Sequence, residues 1–398
     1  MNRSVLYIIN LLLAVLLWTA CENETGTDPQ PSGNGSDTYL SLRIATKSGD
    51  EDQRSDDEKK KEDMNNLRVI ILSKNGIIEY NEFINFGTSK QEHIVVGTDA
   101  SDLTQWIKVK ANEDKTVYLI ANMKDTDFTG EVGENGKNLS ENIDNYIFPK
   151  DINGDIGYLN GADQLIPITA KYTIHVGTAK FQEFGPLYVV RAATKFTLSY
   201  TNNRSNAVTI KSWSISNVAD RAYLMPHVNR TEDDKYTAYD NGYYGNGWIG
   251  WISKNLNSNR SDYVTEYEVP KTSSHVSSYK ISYTDCKLNA NGGSKVASPV
   301  YLHESRYLVK NENENENIEV QQYMMTFEFQ EENEKVETYN VPFVVSESLF
   351  RDLHAYINVT INEDEAPIIY AGIVYWQWID FISRDLIPSQ PFVPNSNQ

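Results

Sequence analysis

The residue whose type and position most plainly could do chemistry is Cys21, which follows Thr19-Ala20 at the end of an apolar run from Leu11 to Leu17. A thiol placed there can take a lipid once the chain is cut in front of it. Arg3 supplies the positive charge ahead of the run. Charge, a short apolar segment and small residues in that order make a secretory signal rather than a spanning helix. The second cysteine, Cys286, is then left alone, so a disulfide-stapled fold is excluded. It closes the run SSYKISYTD and reads as a strand-end residue rather than a nucleophile.

The other chemical candidates are weaker. The six His (93, 175, 228, 275, 303 and 354) are dispersed, without metal-ligand spacing. Asp151, Asn153 and Asp155 match the start of a calcium loop, but Ile156 stands where glycine is needed and Ala162 where the bidentate Glu belongs. A polar turn is the better reading. No Gly-x-Ser-x-Gly, metal cluster or phosphate loop singles out a site among the 55 acids. A two-carboxylate glycosidase is therefore the weakest of the function classes, and the expectation is a non-enzyme with no metal or cofactor. The net charge of −19 argues against nucleic acid, whose phosphates it repels. It also argues against adhesion to anionic lipid.

The window before Cys21 resembles a bacterial lipoprotein lipobox, with Trp18 where leucine is usual and Leu17 one place earlier. The alternative is an ordinary signal peptide cut nearby. The resemblance implies a signal peptide over 1–20, a palmitate-bearing Cys21 and an outer-membrane lipoprotein. Glu22 and Glu24 resemble the signal that sends some lipoproteins of the Bacteroides group to the outer face.

The elements that must carry this end outward are β-strands. Residues 21–38 are rich in Gly, Pro, Ser and Asp and form a flexible tether. Tyr39 to Ile44 then alternates, with Leu40, Leu42 and Ile44 on one face. The next stretch, 46–65, is charged and without periodicity, and is expected to be an exposed, protease-accessible loop. It is either a solvated connector or the place where the first strand can be cut free. Leu67 to Leu72 and Ile77-Ile78 flank Lys74-Asn75-Gly76, a hairpin signal. Further strands are expected at 92–96, 105–110, 116–122, 186–200 and 207–216, with short helices near 101–106 and 139–146.

The second half repeats the pattern at 265–269, 279–284, 300–303, 323–329, 337–343 and 354–361, with NENENEN at 311–317 as a polar hairpin loop. The fold class is all-β, with strands spaced as in sandwiches and a domain boundary near Pro226, giving 39–226 and 227–398. The last run, 368–379, is apolar on both parities. It wants cover on both sides, either as a central strand of its own domain or as a strand for a neighbour's groove. Its candidate donor residues are Ile369, Ile373, Val374, Tyr375, Trp376 and Trp378.

Several local patterns now resemble, in order, those of the fimbrillins of Bacteroides-type bacteria, which build type V pili. Val117 to Asn122 looks like the family's core strand ending in Ala-Asn. Leu165 to Thr169 resembles its Ile-Pro-Met-Ser/Thr segment, with Ile168 for Met. Arg191 to Phe196 is similar to its Arg-x-Ala-Lys strand, with one extra residue. Ile215 to Val218 followed by Tyr223 to Pro226 looks like the close of the N-terminal domain. Val300 to Ser305 resembles Tyr-x-x-Glu-Asn, and Arg351 to Tyr356 resembles Arg-Asn-x-x-Tyr with Asp for Asn.

The resemblance implies two transthyretin-like β-sandwiches in tandem and assembly by strand exchange. An Arg- or Lys-specific protease would remove the lipidated first strand, and a C-terminal strand from another subunit would fill its groove. Arg54 is the first candidate for the cut, with Arg43, Lys47 and Lys59 to Lys61 competing. The implied partners are other fimbrial subunits, the outer membrane before processing and a host or bacterial surface ligand. Anchor and tip roles stay open beside the shaft. A different class is a glycan-binding surface lipoprotein, for which Trp248 and Trp251 in NGYYGNGWIGW could stack on sugar rings.

Overall fold

The computed structural model describes residues 37–46, 54–87, 93–97, 106–124, 134–139, 143–148, 158–225 except 162, 277–304 except 285, 308–310, 318–320, 323–343 and 349–375 except 364. Cys21, Lys47, Trp248, Trp251, Trp376 and Trp378 lie outside them, as do the strand expected at 265–269 and the 311–317 tract.

The chain runs β1 (Asp37–Thr46), α1 (Asp56–Glu62), β2 (Asn66–Leu72), β3 (Ile78–Asn85), β4 (His93–Val96) and β5 (Ile107–Lys110). It continues through β6 (Glu113–Ala121), the short β7 (Ile147–Phe148), β8 (Ile168–Val176) and β9 (Phe181–Arg191). The expected hairpin joins β2 to β3, and Gly76 at its tip takes the positive φ of 77° that the turn requires. Apart from β7, these strands form one hydrogen-bonded sheet in the order β3-β2-β6-β8-β9-β1-β4, with β5 also on β1. β8 and β9 share only the pairs Ile168–Arg191 and Thr169–Val190. There the sheet parts into two layers, and Leu40, Leu42 and Ile44 of one meet Val69, Val117 and Leu119 of the other in a common core.

β2 shows what an apolar run on both parities is for. Leu67, Val69 and Ile71 face that core, while Ile70 and Leu72 face a second one with Tyr118, Phe148, Leu159 and Leu224. A strand buried on both faces needs no alternation.

The remaining strands are β10 (Thr194–Asn202), β11 (Val208–Val218), β12 (Ala222–Tyr223), β13 (Ser277–Ser282), β14 (Lys287–Leu288), β15 (Gly293–Val296) and β16 (Val300–Leu302). After them come β17 (Leu308–Lys310), β18 (Ile318–Val320), β19 (Tyr323–Glu331), β20 (Glu337–Phe343), β21 (Leu353–Ile361) and β22 (Ile368–Tyr375). Two sheets, β15-β10-β21-β22 and β13-β11-β19-β20, enclose a core that includes Phe196, Trp213, Phe327 and Ile357.

Three sequence expectations need correction. The strand expected over 186–200 is two strands, because Ala192 N–H donates to Pro167 O (2.7 Å) and Ala193 O accepts from Asp352 N–H (2.8 Å) instead of continuing a ladder. Past that break, β10 and β11 precede Pro226 yet pair with β21 and β19, so the sheets change over between Arg191 and Thr194. The charged stretch is not all loop, since 56–62 is a helix. Ser55 Oγ accepts from Glu58 N–H and Glu58 Oε2 accepts from Ser55 N–H (2.9 Å), a capping box. Last, among the described residues, 368–375 is an edge strand: Ile369 and Ile373 are buried, Tyr370 is exposed, and its one ladder partner there is β21.

Candidate functional site

Two regions concentrate the features that the sequence singles out. The first is the slot held by β1. This strand runs parallel to β9 and antiparallel to β4 and β5, so both of its edges are paired. Leu40, Leu42 and Ile44 are buried to 1% exposure or less. At the start of the strand, the buried Thr38 hydroxyl donates to Ala179 O (2.5 Å). Between Leu42 and Ile44 the register shifts, with Gly185 and Pro186 of β9 opposite Arg43 alone. A bulge of this kind bends the strand and needs an unusual backbone. Gly185 has φ 122°, and a Cβ there would stand 2.3 Å from Arg43 O. The exposed Arg43 side chain donates to Gly185 O (3.1 Å).

The second region is a buried polar junction where the family-like motifs converge. Asn122, at the end of β6 with φ 62°, donates to Asp63 O and Ile166 O (both 2.9 Å) and accepts from Asn65 N–H (2.8 Å). Only a residue tolerant of the left-handed region fits there, and Asn is one. Arg191 Nε donates to Glu62 O (3.1 Å). Lys195 Nζ reaches Glu62 and Glu58 (2.7 Å each), and Tyr301 donates its hydroxyl proton to Glu62 Oε1 (2.8 Å). Burial first, then the Glu62 carboxylate, pushes the Tyr301 phenol far above its usual range. Burial alone would raise the Glu58 carboxyl, but Lys195 and Ser55 outweigh it and hold it below its usual range.

Arg351 completes the junction. It is fully buried, forms a two-pronged pair with Glu304, and donates to Leu224 O (2.8 Å) and Tyr223 O (2.7 Å). Each motif thus supplies a structural contact: Asn122, the carbonyls of Ile166 and Pro167, Arg191, Lys195, Leu224, Tyr301, Glu304 and Arg351. What the arrangement does chemically is hold, not react. Charged groups so enclosed must be paired, and each is.

Sequence reasoning overlooked Glu58 and Glu62, although the Ser-x-x-Glu signature at 55–58 announces a helix start. Of the candidate cut residues, Arg43 is on β1 and exposed, whereas Arg54 keeps 10% of its side chain exposed and pairs with Asp63 (2.8 Å) and Glu62 (3.4 Å). Lys61 donates to Gly161 O (2.8 Å). Of the candidate donor residues, Ile369 and Ile373 fill the core of their own sheets, and Val374 and Tyr375 stand opposite His354 and Leu353 on β21.

No protein-family model and no curated protein matches the chain. Solved structures do. The chain is similar to the tip fimbrial protein Mfa3 from Porphyromonas gingivalis with C-terminal truncation, at 12% identity over 86% of this chain and 100% of that one, TM-score 0.48. It is similar to a candidate cell adhesion protein from Parabacteroides distasonis, at 10% identity over 85% and 97%, TM-score 0.49. A fimbrial assembly protein from the same organism matches at 9% identity over 86% and 96%, TM-score 0.38.

Proposed function

We propose that the chain is a structural subunit of a cell-surface fimbria, exported as a lipoprotein on Cys21, cut between β1 and α1, and polymerised by strand exchange in support of adhesion. The observation that carries this reading is the setting of β1. It is the first described element, and yet it is an interior strand, paired on both edges. Its loss would leave β9 on one side and β4 and β5 on the other with unpaired backbone groups, and three apolar pockets open to water. Exposed edges and apolar pockets at alternate positions are what an added strand satisfies. Three aliphatic side chains at about 1.5–3 kcal/mol each give a gross gain on the order of 6 kcal/mol before ordering costs. A joint of this kind is head-to-tail and propagates as a filament.

The chain is divided, on this reading, into two transthyretin-like sandwiches that meet at 191–194, and the polar junction keeps them together while β1 is exchanged. A donor strand would come from the C-terminal stretch that begins at Ile368. The basic residues considered for the cut are Arg54 and Lys47, between β1 and α1, and Arg43, inside β1. An anchor subunit would share all of this except the cut.

The test is limited trypsin digestion of the 22–398 chain, followed by intact mass and electron microscopy. Cleavage between Arg43 and Lys61 with ladders or filaments as product supports the shaft reading, and deletion of 368–398 should then abolish them. Clean cutting that leaves only monomers rules out self-polymerisation and moves the anchor role ahead.

A further inference from the structure

α1 stands at the end of the slot where β1 leaves it. Thr46, the last residue of β1, is opposite Val189 of β9, and two residues further along β9 Arg191 is bonded to Glu62 O of α1. The helix is keyed in by Glu58 and Glu62 on Lys195, by Lys61 on Gly161 O, and by Lys61 O accepting from Ile166 N–H (3.1 Å). Arg54 closes this assembly from the front. Its guanidinium is bound to Asp63 and Glu62 at the far end of the helix, so the residue before the N-cap is tied to the residues at and after the C-terminus.

We infer that Arg54 is a positioning residue that staples α1 in place and is not the scissile residue, so that the cut falls before it and α1 stays on the processed chain as the fixed end of the slot. The inference rests on the processing reading and changes what the product is. An Arg- or Lys-specific protease has to draw the basic side chain into its own pocket with several flanking residues extended. At Arg54 the side chain is held by two carboxylates, and Ser55 and Glu58 are locked in the capping box. Cleavage there requires the segment to open first, and proteolysis of such a segment follows the population of the open form. Lys47 is the basic residue between the end of β1 and Arg54, whereas Arg43 lies inside β1, whose edges are both paired.

The experiment is a time course of trypsin on the full-length chain, with the new N-terminus read by intact mass and terminal sequencing, for wild type, Asp63→Asn and Arg54→Ala. The first wild-type product is expected to begin before Arg54 and to retain α1. Arg54→Ala should give the same first product. Asp63→Asn, which weakens the shorter ion pair, should speed cleavage of the Arg54–Ser55 bond about tenfold, the worth of one charge-assisted hydrogen bond. A first wild-type product beginning at Ser55 overturns the inference. So does an Asp63→Asn chain whose Arg54–Ser55 bond is no faster to cut. A chain cut nowhere before Leu67 sinks the processing reading while upholding the protection of Arg54, so the two failures are told apart.

Discussion

The β1 slot and the polar junction are both interior, both join distant parts of the chain, and are built from opposite materials. β1 is held by a backbone ladder on each edge and by three aliphatic side chains. The junction is held by buried charges and amides with one partner set each, such as Arg351 with Glu304 and two carbonyls. Aliphatic burial is non-directional, so a slot of this kind accepts another strand with a similar alternation. A buried charge whose partner is removed cannot be rescued by a group of roughly the right size. The part proposed to be exchanged is generic, and the part proposed to persist is specific.

Substitutions can break or sharpen that contrast. Arg351→Ala should cost most, about 3–5 kcal/mol in a denaturant melt, because Glu304 is left charged in the interior. A loss under about 1 kcal/mol would end the claim that the junction is specific. Leu42→Ala should cost about 2–5 kcal/mol as a cavity. Here Leu42→Met should restore most of it, since volume-conserving apolar swaps are tolerated; an equal loss for both would make the slot as particular as the junction. Gly185→Ala should cost about 1–3 kcal/mol through overpacking against Arg43 O and the positive φ. Hydrogen exchange should place the loosening in β1 and β9.

The next effect is one of pH. Burial first, and Lys195 second, holds the His354 imidazole well below its usual value. Below about pH 6.5 the unfolded chain takes up a proton that the folded chain refuses, so stability is full above that pH and falls as the pH drops beneath it. His354→Asn should flatten the pH profile between 6.5 and 5, whereas no slot substitution should. The smallest effect belongs to Arg43→Ala, which removes one exposed hydrogen bond to Gly185 O and should cost less than about 1 kcal/mol.

How far the sequence could be read follows from where each contact lies along the chain. Local periods placed β1, the β2–β3 hairpin, β6, β11, β19 and β21, because alternation reports a half-buried strand wherever the partner is. The motif residues around Arg191, Tyr301 and Arg351 were legible as positions of note. Their joint meaning was not, since Lys195 and Glu62 are 133 residues apart and nothing in the spacing pairs them. The change of sheet at Ala192-Ala193 was hidden for the same reason, as both flanks read as one apolar run. α1 was masked by its composition, although its cap was in plain letters.

β10 has a consequence for the order in which the molecule can be made. It lies parallel to β21, with Thr197 and His354 in hydrogen-bond contact across 157 residues of chain. β1 and β9, by contrast, are both delivered by Arg191. As the chain is made from its front end, the first layers can close early. β10 and β11 then wait with their apolar faces open until the last strands arrive. Loop closure over such a span is slow, and unpaired strands invite aggregation in the interval.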